Sequence, residues 1–272
     1  MPSSGRWRLW GERMTEVLGT AAKGHGWRLF APRVAVNVRP EPDSPPSSPT
    51  WLSELSAPDP LAQWAAPFAD LRSCWDACPD PEWLLWLAGR SCDSAEQRKP
   101  VVLCAAQLAS LAQRGERKTD PRVTRAASLA RTWAESGVDA LELLAAECDA
   151  LDAASEFGQA ADYAAERSLA LFRSAPRRRP GSSGMNKAFD AWQLWRTAER
   201  GRWQALSAAL AARAAALPDD GTVTAAEWAG CVSQSGAYAL QAMSSRRSRD
   251  GSPDRAVLRR GVRLARQHLT CP

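Results

Sequence analysis

The segment Asp80-Pro81-Glu82-Trp83-Leu84-Leu85-Trp86-Leu87-Ala88 constrains the fold more than any other stretch of the chain. Asp80 is placed to cap a helix. Pro81 suits the first helical position, where the missing N–H would have had no partner. The residues that follow, from Trp83 to Ala88, carry no charge, so the helix has no face to offer to water. Such a helix is stable only when other elements cover it on most sides, and the rest of the chain has to supply them.

The chain can do so with helices. It is rich in Ala, Leu and Arg and has only two Tyr and few β-branched residues, a composition that favours helix over strand. At 272 residues it can bury a substantial core. Apolar residues at helical spacing predict a helix through Leu71, Trp75 and Cys78, stopped by Pro79, and another over residues 98–114, stopped by Gly115. Asp120-Pro121 repeats the start signal for a helix that runs to Trp133 and ends at Ser136-Gly137. Residues 138–173 read as one long helical pattern with Leu141, Leu144, Ala145, Cys148 and Leu151 along one side, kinked or divided at Gly158. Two helices are expected over 185–200 and 202–217. A further one over 225–244 has Thr224 and Glu227 at capping-box spacing, and a last one starts at Ser252-Pro253. The expected fold class is all-α, an irregular multi-helix bundle or a short helical-repeat-like array. Two Asp-Pro starts do not define a repeat.

Residues 1–50, with the Pro/Ser run of 39–49, read as an extended and poorly ordered N-terminal extension. Residues 51–272 form the helical domain, with a motif-bearing half at 70–174 and a basic half at 185–272. Trp75, Cys78, Trp83, Trp86 and Trp133 are the expected core. Trp192, Trp195, Trp203 and Trp228 sit in similar apolar patterns and should also bury much of their area. No targeting signal and no uncharged apolar run of membrane-spanning length is evident, so the expected location is the cytoplasm, without membrane contact.

Chemistry-bearing patterns are scarce. The two His, His25 and His268, have no ligand partner at helical spacing. Cys74 and Cys78 lie one turn apart without the second pair that a zinc site needs. There is no glycine-rich phosphate loop. The expectation is therefore no catalytic residue, no metal and no cofactor.

Charge is more informative. Residues 1–166 carry 17 Lys+Arg against 23 Asp+Glu, and residues 167–272 carry 18 against 7. Residues 139–166 hold eight acids and no base, so no ion pair can form within that stretch. Glu142, Asp149, Asp152 and Glu156 are its candidate partner-binding face. At the other end, Arg246, Arg247, Arg259, Arg260 and Arg263 belong to a cluster of positive charge suited to phosphate contacts. That cluster has no interleaved aromatic for base stacking, and a basic tail also serves solubility.

Trp75-Asp76-Ala77-Cys78, followed by Trp83-Leu84-Leu85-Trp86-Leu87, resembles the motif of bacterial and phage immunity proteins of the type-five family in polymorphic toxin systems. In that family a Cys-containing apolar helix follows, then a Pro-started helix ending in Trp, then a long Ala-rich acidic helix. Residues 101–111 with Cys104, 121–133 and 141–171 take those places, so the likeness covers about residues 70–172. The resemblance implies an all-helical, non-enzymatic protein that binds and neutralises a toxin effector. Two other readings stand beside it: a nucleic-acid-associated or regulatory protein acting through the Arg-rich end, and a structural component of a larger bacterial or phage-derived assembly. Oligomeric state is not legible in the sequence.

Overall fold

The computed structural model describes residues 50–114, 119–174, 183–218, 220–245 and 255–272. The expectations placed on the N-terminal extension, Gly115, Arg246, Arg247 and the Ser252-Pro253 start lie outside them. The described residues form ten α-helices and no strand. We label them α1 (Thr50–Leu55), α2 (Asp59–Ala65), α3 (Leu71–Ala77), α4 (Pro81–Arg90), α5 (Ala95–Gln113), α6 (Pro121–Ser136), α7 (Ala140–Ser174), α8 (Ser183–Ala216), α9 (Ala225–Ser244) and α10 (Arg255–His268). They make an irregular multi-helix bundle.

Local chemistry sets the helix starts. The Asp80 carboxylate accepts a hydrogen bond from the Glu82 amide at 2.9 Å, and Asp120 does the same for Arg122 at 2.9 Å. Asp70 caps α3 through the Ser73 amide at 2.7 Å. Thr224 and Glu227 form a complete capping box on α9. Gly137 ends α6 with φ 85°, a conformation that costs glycine nothing. α5 begins at Ala95, earlier than its apolar pattern indicates, because Ser94 caps the Gln97 amide. Pro100 is carried inside that helix.

The described residues divide into two compact units. The larger takes those up to Ala153 and those from Trp203 onward. Its centre is α4, in which Pro81, Leu84, Leu85, Trp86, Leu87, Ala88 and Gly89 are all buried. α9 packs along both α4 and α5, α6 covers α5, and α10 lies against α4, α5 and α9. Close approach depends on small residues: a Cβ on Gly89 would come within 3.0 Å of the Ala229 backbone. Several polar side chains in the core find partners. Trp228, fully buried, donates from Nε1 to the Ala214 carbonyl at 2.9 Å, and the Ser207 and Ser235 hydroxyls each donate to the other residue's carbonyl at 2.8 Å.

The smaller unit contains Ala154–Arg202. In it α7 and α8 meet through Ala161, Ala164, Ala165, Ala188 and Ala191, and the Ser168 hydroxyl donates to the Ala188 carbonyl at 3.0 Å. Two expectations are corrected here. α7 runs without division through Gly158, and α8 is one helix rather than two, continuous through Gly201. A Cβ on Gly201 would fall 2.8 Å from the Phe157 ring. That glycine is selected by helix–helix contact and does not break the helix. Of the tryptophans expected to be covered, Trp75, Trp86 and Trp228 are buried, whereas Trp83, Trp133, Trp192, Trp195 and Trp203 are half-buried.

Candidate interaction surface

α7 is the helix whose charge asked for a partner. Within the larger unit its inward face is Leu143, Ala146, Glu147, Ala150 and Ala153. The apolar stripe of Leu141, Leu144, Cys148 and Leu151 faces outward, with Leu141 73% and Leu144 42% exposed. On hydrophobicity alone that stripe would be buried. The helix instead turns its small residues inward, where alanine permits a closer backbone approach than leucine would.

The acids of this helix find cations on other helices. Arg125, from α6, lies 3.6 Å from Glu142 and 3.4 Å from Asp149, so one guanidinium spans two of the candidate residues. Glu147 is buried and pairs with Arg213 of α8 at 3.5 Å. Burial pushes the Glu147 carboxyl up and Arg213 pulls it back. Asp152 is exposed beside Leu151. Glu156 is exposed as well and belongs to the smaller unit. Glu142, Asp149 and Asp152 thus stand with the leucine stripe in one unit. Arg125 was the residue that sequence reasoning missed, because a cation on a different helix gives no spacing signal.

The second candidate surface is α10. Arg259, Arg260 and Arg263 are exposed, and Arg246 and Arg247 lie outside the described residues. Arg259 and Arg263 line an open cleft of about 630 Å³ against residues 76–79. Arg266 is committed elsewhere: its guanidinium donates to the carbonyls of Trp75 at 3.3 Å, Asp76 at 2.6 Å and Cys78 at 3.4 Å. These carbonyls sit at the end of α3, where the Trp75 carbonyl also accepts the Cys78 backbone N–H at 3.2 Å. Arg266 is a structural cap.

The Trp/Cys stretch supplies packing. Trp75, Cys78 and Trp86 are buried, and Trp83 and Trp133 pack half-buried against the same core. Cys74 and Cys78 are free thiols, and burial raises them to about 11 and about 12, far from the thiolate that nucleophilic or metal chemistry uses. All seven cysteines are free, and no group of His, Cys, Asp and Glu among the described residues is arranged to hold a metal. His268 pairs with Gln107 at 2.9 Å. No helix among the described residues is long and apolar enough to cross a membrane.

One partly buried acid was also missed. Burial, reinforced by the neighbouring Asp80, pushes Glu82 up to about 8. The available signal was an acid in the first turn of an otherwise apolar helix, a position where helix-dipole arguments favour a carboxylate and so conceal its desolvation. Compared with known protein families, curated proteins and solved structures, the chain matches none of them.

Proposed function

We propose that this chain is a non-enzymatic, immunity-type protein that binds and neutralises a basic toxin effector in the bacterial cytoplasm, using the outward face of α7. The observation that carries this reading is the exposed stripe of Leu141, Leu144, Cys148 and Leu151 with Glu142, Asp149 and Asp152 beside it. An apolar strip with a net acidic rim, three carboxylates to the one Arg125 guanidinium, combines the area that holds a complex together with the field that steers an oppositely charged partner onto it. The partner that fits is a protein with an apolar patch set in a basic surface. The Trp/Cys motif and its succession of helices, which resemble the type-five immunity proteins, point the same way.

The test uses the product of the gene beside this one, purified and titrated against the intact chain. Leu141→Asp together with Leu144→Asp should weaken binding by about 2 kcal/mol or more, as expected for central apolar contacts. Asp152→Lys should slow association and reduce its dependence on salt. Equal affinity for wild type and the double leucine variant would sink the role of this face. A second reading is supported by the cleft beside Arg259 and Arg263, which suits phosphates of a nucleic acid. Triple substitution of Arg259, Arg260 and Arg263 by Ala would then abolish a salt-steep association with duplex or single-stranded DNA. Absence of any such association at low salt would remove that reading.

A further inference from the structure

A second small cavity, of about 90 Å³, opens beside the start of α4. Pro58, Pro60, Trp83, Trp86 and Ser233 line it together with Glu82. The indole of Trp83 belongs to an aromatic cluster with Trp64, at 5.1 Å between ring centroids, and Arg90 lies over the ring of Trp86 at 6.0 Å. The Arg90 Nε donates to the Leu55 carbonyl at 2.9 Å. The charged group that acts on Glu82 is Asp80, one turn-start away, and it repels. Asp80 itself is buried and held by the Glu82 amide. No cation or hydrogen-bond donor among the described residues is paired with the Glu82 carboxyl.

A carboxyl in a pocket of prolines and indoles, next to a second acid and with no counter-charge among the described residues, is a costly arrangement. Gln would fit the helix start equally well at no electrostatic cost. The pocket has two properties at once: a carboxylate to pair with and aromatic surface to attract positive charge, in a cavity of about 90 Å³. Those are the requirements for capturing an alkylammonium group.

We infer that the cavity formed by Glu82, Trp83, Trp86, Pro58, Pro60 and Ser233 is a binding site for an alkylammonium group, either a lysine side chain of a polypeptide or a free amine. The ammonium pairs with the Glu82 carboxylate, and its methylenes lie on the tryptophans. The site does not involve α7, and it stands or falls separately from the toxin-docking face.

The experiment is an NMR titration of the full chain with n-butylammonium, acetyl-lysine methylamide and the neutral isostere n-butanol at constant ionic strength. Indole N–H signals of Trp83 and Trp86 are assigned through Trp83→Phe and Trp86→Phe. Both amines should shift these signals saturably and butanol should not, and Glu82→Gln should weaken the amines by about tenfold or more. Tighter binding of the lysine derivative assigns a polypeptide source, and tighter binding of butylammonium a free amine. Affinity of wild type should also rise between about pH 6.5 and pH 8.5 as Glu82 ionises, a readout that needs no variant. Butanol binding as well as the amines, an unaffected Glu82→Gln, or no saturable shift would each overturn the inference.

Discussion

α4 and the first half of α7 belong to the same unit and use apolar residues in opposite ways. α4 sets Leu84, Leu85, Trp86 and Leu87 inside and leaves almost nothing for water, so its large side chains supply the core. α7 sets Ala146, Ala150 and Ala153 inside and carries Leu141, Leu144 and Leu151 outside. Residue hydrophobicity therefore does not fix which side of a helix is covered. The geometry of the neighbour does. Where the neighbour is α9, with Gly236 and Ala239 facing α4, there is room for a leucine. The covered side of this half of α7 is mostly alanine with Leu143 among them, and Leu141, Leu144 and Leu151 stay exposed.

The contrast is sharpest in paired truncations. Leu85→Ala removes a fully buried side chain and should cost about 3–5 kcal/mol of unfolding free energy in urea titration. Leu144→Ala should stay within about 0.5 kcal/mol. A large loss at Leu144 would mean that its stripe is covered in solution, and the contrast between the two helices would fail.

A second way to sharpen it uses Glu82, the one acid within the apolar surroundings of α4. Its folded-state value of about 8 lies above the ordinary 4.5, so the folded chain holds its proton where the unfolded chain has lost it. This group's contribution is thus complete below about pH 4.5 and fades as pH rises through about 8, by up to about 5 kcal/mol in all. Chemical denaturation across that window should show wild type losing stability relative to Glu82→Gln. Parallel curves would mean that Glu82 is ionised and solvated.

The smallest effect belongs to the surface of α7. Arg125→Gln removes the cation between Glu142 and Asp149, and half-exposed pairs of this kind contribute about 0.5 kcal/mol or less, fading with salt. The same change releases negative charge beside the leucine stripe, so association with a basic partner should become faster while stability hardly moves. A loss of more than about 1.5 kcal/mol would place Arg125 in the core economy rather than on the surface.

Much of the fold was legible because caps are local. Asp80-Pro81, Asp120-Pro121, Gly137 and the Thr224–Glu227 box each act within a turn of themselves, and each stands where its spacing puts it. The all-helical class followed from composition. What was not legible depended on distant neighbours. Gly201 looks like a break until Phe157 is seen against it, and Gly158 looks like a kink until the Arg202 side chain is found alongside. The acids of residues 139–166 read as unmatched because Arg125 and Arg213 come from other helices. The leucine stripe of α7 was legible as one side of the helix, but periodicity does not say which side has a neighbour.

Arg266 joins the C-terminal helix to three carbonyls at the end of α3, directly over the turn that holds Cys78. The thiol beneath is 1% exposed, so a reagent reaches it only when that turn parts from α10. Cys78 is therefore a built-in clock for this one opening. Its alkylation rate under native conditions, compared with that of the exposed Cys148, measures how often the last helix lets go, and Arg266→Ala should make the clock run faster even though losing that charge leaves the thiol less acidic.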